Sequence, residues 1–131
     1  MNDTARTEIL ATFDASNQGR LHFGELIGRL CAADVEAYHV DYRAGRTTVY
    51  LPDGTTLDIP LARPADGIAE AFDVDAMRSA ILGAQQGRVM YPEFRRLSQR
   101  AGCVGYTVWI AGRHLVYHGR HGQTHTERFP D

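Results

Sequence analysis

Lysine is absent from the chain, and all fourteen positive residues are arginine. That excludes a Schiff-base lysine, a phosphate-loop lysine and a catalytic lysine base. Positive charge is not in surplus either. A formal net charge of −2 offers no basic field for a phosphate backbone, so nucleic acid is not an expected partner. No apolar run approaches the ~18 residues of a membrane span, and no basic-then-apolar leader opens the chain. The expectation is a cytoplasmic protein with no membrane partner. Cysteine is limited to Cys31 and Cys103, which read as two small buried thiols rather than a bridge. Without a CxxC, HExxH, nucleophile elbow or dinucleotide fingerprint, no cofactor is expected.

What the chain does have is a repeat. Gln18-Gly19-Arg20-Leu21-His22-Phe23-Gly24-Glu25-Leu26 recurs as Gln86-Gly87-Arg88-Val89-Met90-Tyr91-Pro92-Glu93-Phe94, an offset of 68 residues. The same offset relates Ala33 to Ala101, Tyr38 to Tyr106 and Val40 to Val108. One residue then drops out, so that Ala44-Gly45-Arg46 aligns with Ala111-Gly112-Arg113 and Val49-Tyr50 with Val116-Tyr117, before Gly54 and Gly122 restore the register. Such copies are supersecondary units that bury their apolar faces against each other. With 131 residues, 44% hydrophobic and 23% charged, one ordinary globular domain over 1–131 is expected.

Each copy reads alike. Asn2, Asp3 and Thr4 are capable caps for a helix carrying Ala5, Ile9 and Phe13 and running to about Ala15. Phe23, Leu26, Ile27 and Leu30 stripe a second helix. From Tyr38 the period falls to 2, with Tyr38, Val40 and Tyr42 alternating with His39, Asp41 and Arg43. Thr47–Leu51 and Thr55–Ile59 complete a meander around the Pro52-Asp53-Gly54 turn. A linker follows from Pro60 to Asp66, and Ile68–Phe72 reads as a short helical turn. The second copy runs through helices at Val74–Gln86 and around Pro92, then strands at Tyr106–Ile110, His114–His118 and Thr124–Phe129. The fold class is α+β: an internally duplicated helix–helix–three-strand meander (repeat 1 about 3–60, repeat 2 about 71–130). Its pseudo-twofold antiparallel sheet is covered by four helices.

Residues that echo are scaffold, so functional candidates are sought where the copies differ. His39 and Asp41 stand where the second copy has Thr107 and Trp109, on the strand face opposite Tyr38 and Val40. His125 and Glu127 replace Leu57 and Ile59. Residues two apart on a strand share a face, so each pair aims an imidazole and a carboxylate together. His39, Asp41, His125 and Glu127 are therefore the catalytic candidates of a hydrolase-like reading, or metal ligands if the pairs converge. His114, His118 and His125 could share a strand face. His39, Asp41, Trp109 and His125 are the ligand-binding candidates, while Tyr106, Trp109 and Tyr117 read first as core or cross-strand partners. Asp14 to Glu25 also fits an EF-hand loop, with Asp14, Ser16, Gln18 and Glu25 as weak calcium ligands. The second copy has Leu82 and Ala84 at ligand positions yet keeps the turn, which favours a metal-free hairpin.

The motifs Tyr38-His39-Val40-Asp41-Tyr42, Tyr50-Leu51-Pro52-Asp53-Gly54, Tyr91-Pro92-Glu93-Phe94, Ala101-Gly102-Cys103-Val104-Gly105-Tyr106 and Gly119-Arg120-x-Gly122-x-x-His125 resemble domain-of-unknown-function family 1398. These are small bacterial proteins, some labelled phage envelope protein. The resemblance implies a bacterial domain of about this length and supplies no catalytic residues. The leading expectation is a non-catalytic module binding an unknown small molecule or protein at the seam between the repeats. The alternatives are the His/carboxylate enzyme and a degenerate EF-hand-like calcium binder. A homodimer is possible.

Overall fold

A computed structural model of the chain describes residues 1–130. Ten elements follow in order: α1 (Asp3–Asn17), α2 (Phe23–Ala32), β1 (Ala37–Asp41), β2 (Arg46–Tyr50), β3 (Thr56–Pro60), α3 (Val74–Gln85), α4 (Tyr91–Arg100), β4 (Cys103–Trp109), β5 (His114–Gly119) and β6 (Thr124–Arg128). The six strands form one antiparallel sheet in the order β3-β2-β1-β4-β5-β6. The fold is α+β.

The halves meet at the centre of this sheet. There β1 pairs with β4 through Ala37↔Trp109, Tyr38↔Val108, His39↔Thr107, Val40↔Tyr106 and Asp41↔Gly105. Adding 68 to one member of each pair regenerates another pair of the same ladder, and His39↔Thr107 maps onto itself. The pairing register of this ladder is therefore symmetric about His39↔Thr107. The offset holds without a dropped residue: β2 and β5 start at Arg46 and His114, and α2 and α4 at Phe23 and Tyr91. The Ala-Gly-Arg identity at the two hairpins is thus one residue out of structural register. Backbone geometry sets the true match, since the left-handed corner is Gly45 (φ 71°) in one hairpin and Arg113 (φ 58°) in the other.

Alternation places Tyr38, Val40, Val49, Leu57, Ile59, Tyr106, Val108, Leu115 and Tyr117 on one face of the sheet. They join Ile9, Phe13, Leu26, Leu30, Met77, Ile81 and Phe94 of the helices in one continuous core. The other face carries His39, Thr48, Tyr50, Thr107, Trp109 and Val116, none of them fully buried. Helix ends follow their caps: Asn2 Oδ1 accepts the amide of Ala5 at 2.8 Å, and Asp73 Oδ1 that of Ala76 at 3.0 Å.

Three expectations need correction. Helix α1 continues to Asn17, where the Gln18 amide still donates to the Asp14 carbonyl. Ile68–Phe72 is not helical. Its backbone is drawn to the end of α4 instead, the Ala69 amide donating to Gln99 and the Asp73 amide to Ala101. Cys31 is exposed and only Cys103 is buried, because Cys31 lies off the apolar stripe of α2.

Candidate functional site

The sheet itself separates the four polar candidates. His39 and Asp41 lie on the bare face of β1. His125 and Glu127 lie on β6, paired with Tyr117 and Leu115 on the helix-covered face. Two strands intervene, so β1 and β6 are ~14 Å apart in the sheet as well as opposed across it. The two pairs do not converge. Among the described residues no group of three or more His, Cys, Asp or Glu side chains is arranged to hold a metal ion. His114 and His118 share the bare face, away from His125, and His121 in the turn meets Glu70 at 3.2 Å.

On the bare face, His39 Nδ1 and Thr107 Oγ1 share a hydrogen bond of 2.8 Å at the centre of the β1–β4 ladder. Burial holds the imidazole pKa below its ordinary value, with the neighbouring Asp41 opposing the shift. Asp41 Oδ1 accepts the amides of Arg43 and Ala44 at 3.1 and 3.0 Å. Its carboxylate is therefore a hairpin brace.

On the covered face the residues form a site. His125 Nε2 and Glu127 Oε2 are 2.9 Å apart, and the His125 ring stacks on Tyr117 at 6.4 Å and 23°. Glu127 lines a cavity of about 60 Å³ between the helices and the second half of the sheet. Both halves contribute its walls: Phe23, Leu26 and Tyr38 from the first, Val89, Phe94 and Tyr117 from the second. Glu127 is the single charged side chain among the described lining residues. Tyr106 donates to the Tyr91 hydroxyl at 3.0 Å, and Tyr42 is hydrogen-bonded to Ser98 at 2.8 Å. The hydroxyls of Tyr38 and Tyr117 have no hydrogen-bond partner among the described residues, although both rings are almost wholly buried. Burial raises the pKa of Tyr38, Tyr91, Tyr106 and Tyr117, so all four stay neutral phenols. The cavity adjoins an open groove of about 580 Å³ at the seam, sharing Phe23, Ala84, Gln85 and Pro130 as walls. Arg113 borders that groove with its guanidinium 5.5 Å from the centre of the Phe129 ring.

The corresponding place in the first half is filled. Leu57 and Ile59, the counterparts of His125 and Glu127, are buried core residues. In the second half the same positions hold an imidazole and a carboxylate, and Glu127 lines the cavity.

The EF-hand loop is not formed. Asp14 and Ser16 belong to α1, and the turn spans only Gln18 to His22. Asp14 Oδ2 accepts from Gln18 Nε2 at 3.0 Å and faces Arg20 at 3.7 Å. Ser16 is buried, and Glu25 Oε1 accepts the His22 amide at 3.0 Å as a helix cap.

The sequence candidates Glu127 and, on the other face, His39 and Trp109 border concavities, and Tyr38, Tyr106 and Tyr117 are the packing residues the sequence suggested; Tyr50, beside Trp109, is not among the candidates. Tyr50 was legible, because it falls in the outward phase of a strand whose inward residues are Thr47 and Val49.

Comparison with known proteins agrees with the motifs. An uncharacterized protein of Mycobacterium bovis and uncharacterized proteins of two strains of Mycobacterium tuberculosis are each 38% identical to it over 80 residues. That stretch is 58% of this chain and 47% of theirs, so the chain spans about half the length of the curated relatives it matches. No helix is long and apolar enough to cross a membrane among the described residues. A family model described as a protein of unknown function (DUF1398) matches residues 11–127, and the chain belongs to that family.

Proposed function

We propose that the protein is a non-catalytic binding domain for a small molecule with a short apolar body and a hydrogen-bond-donating head, an amine or an alcohol. The observation that carries this reading is a lone carboxylate on an apolar cavity built by both halves. Glu127 is about a third exposed, and its carboxyl group at an apolar wall offers an acceptor to a hydrogen-bond donor. His125 engages Oε2 of Glu127, and Oε1 has no partner among the described residues. Side chains of Tyr38 and Tyr117 add two further hydroxyls along the same cavity. Its volume of about 60 Å³ holds on the order of four or five water-sized positions, which suits a chain of a few carbons. A larger ligand would extend into the adjoining groove past Phe23 and Pro130.

The test uses n-butylamine and n-butanol as probes. The melting temperature should rise with the logarithm of the concentration of either, since a ligand at about 100 times its Kd adds ~2.7 kcal/mol. Glu127→Gln should keep the fold and weaken the amine about tenfold while sparing the alcohol, because it removes a charge-assisted bond. The reading is overturned if neither probe raises the melting temperature and the purified protein releases no small molecule on denaturation.

A further inference from the structure

On the bare face, one row across the sheet has a composition that the scaffold does not demand. Tyr50 on β2 and Trp109 on β4 both pair with Ala37 of β1, one on each side. Ala37 is buried at 2% exposure, whereas Tyr50 and Trp109 are 37% and 45% exposed. The row related to it by the 68-residue offset is His118–Gly105–Asp41. It builds the same sheet with an imidazole at one side and a carboxylate at the other, so folding does not call for a Tyr and a Trp there.

Their spacing defines a slot. With strands ~4.8 Å apart, the backbones of Tyr50 and Trp109 are ~10 Å apart, and side chains on a sheet stand roughly perpendicular to it. A ring between two others needs ~3.5–4 Å of contact distance on each side, so the backbone spacing admits one ring once the Tyr50 and Trp109 side chains part over Ala37, which is covered at 2% exposure. Trp109 is already oriented: its far side stacks on His114 at 6.4 Å and 23°. His39, two residues along β1 on the same face, closes one end. Its Nδ1 is committed to Thr107, which leaves Nε2 for the edge of a guest. Pro52, Gly54 and Thr55 of the β2–β3 turn wall the other end of a concavity of about 380 Å³. Glu36 also lines it and no arginine does.

We infer that Tyr50 and Trp109 clamp a planar heteroaromatic ring lacking anionic substituents, of the nucleobase or nucleoside class, with His39 Nε2 on its edge. Stacking supplies the affinity, as it does wherever bases meet aromatic side chains. The Glu36 carboxylate disfavours a phosphorylated guest. This site lies on the opposite face of the sheet from the seam cavity and stands independently of it.

Trp109 is the single tryptophan of the chain, so its fluorescence reports the slot directly. Adenosine should quench it saturably, with a dissociation constant on the order of a millimolar or tighter. Tyr50→Ala should weaken adenosine about tenfold, Tyr50→Phe should restore it, and neither exposed substitution should unfold the protein. Adenosine 5′-monophosphate should bind more weakly than adenosine, and Glu127→Gln should leave adenosine binding unchanged. The inference is overturned if adenosine, caffeine and 1-methylnicotinamide all fail to quench saturably. Equal quenching in the folded Tyr50→Ala protein would overturn it as well.

Discussion

Gly102 and Gly122 both have positive φ, at 88° and 80°, and a side chain at each would meet different surroundings. A Cβ at Gly102 would fall on the Ala71 carbonyl oxygen, where the inter-repeat segment runs against the start of β4. Nothing stands within 4 Å of a Cβ at Gly122. Alanine costs ~1–2 kcal/mol in the left-handed region, and overpacking adds ~1–3 kcal/mol. Gly102→Ala should therefore destabilise by about 3 kcal/mol or more, and Gly122→Ala by about 1 kcal/mol, as read from urea unfolding midpoints. Equal losses would show that the Ala71 contact is easily relieved. His39 gives a second prediction at this scale. Because burial depresses its folded pKa below the unfolded ~6.5, the unfolded chain binds more protons between those two values. Its contribution to stability is intact above pH ~6.5 and is lost as pH falls through the folded pKa. Half-exposure keeps the effect small. His39→Gln should flatten the decline in melting temperature between pH 7 and 5 while leaving other titrations in place.

The elements themselves were largely legible. Helical stripes such as Phe23/Leu26/Ile27/Leu30 and the alternation from Tyr38 to Tyr42 mark buried faces directly, because burial imposes each period. The hairpin register was not legible by matching letters. Ala44-Gly45-Arg46 and Ala111-Gly112-Arg113 look equivalent, but equal loop length and the left-handed corner decide the pairing, and Arg113 occupies that corner. Separation of the candidate pairs was hidden in plain residues. Leu57 and Ile59 are apolar, so whatever replaces them points toward the helices, whereas His39 alternates with core residues and points away. The cavity could not be read at all, since a void depends on side chains from eight elements meeting imperfectly. The contribution of β6 is nonetheless testable. Introducing the first-half residues with His125→Leu and Glu127→Ile should add apolar bulk beside the cavity and remove a partly buried carboxylate. We expect a gain of ~1 kcal/mol, or about 4 °C in melting temperature, after the lost hydrogen bond is discounted. Butylamine binding should disappear in the same protein. A variant that loses stability would mean that the pair serves packing rather than a ligand.

Across the whole molecule, phenols from both halves meet in the core. Five of the six tyrosines have pKa values raised by burial, Tyr38 and Tyr42 from the first half and Tyr91, Tyr106 and Tyr117 from the second. They are neighbours as well. Tyr42 and Tyr106 meet edge-on across the seam at 6.0 Å, Tyr106 and Tyr117 are 5.3 Å apart, and Tyr106 is hydrogen-bonded to Tyr91. One phenolate in this cluster would lie in apolar surroundings beside further phenols, so none ionises while the core stays closed. The unfolded chain releases these protons near pH 10, whereas the folded chain retains them. Stability is thus fully present below pH ~10 and falls as pH rises past it. Each additional tyrosine steepens the fall, because the same opening event exposes all five. Phenolate absorbance from these residues should consequently appear in a single transition, steeper than one-proton titration and coincident with loss of the far-ultraviolet circular dichroism signal. If Tyr91, Tyr106 and Tyr117 ionised in one step and Tyr38 and Tyr42 in another, resolved by Tyr→Phe variants, the halves would be opening separately. A core shared through β1 and β4 leaves no surface along which that could happen without breaking the Tyr42–Tyr106 contact.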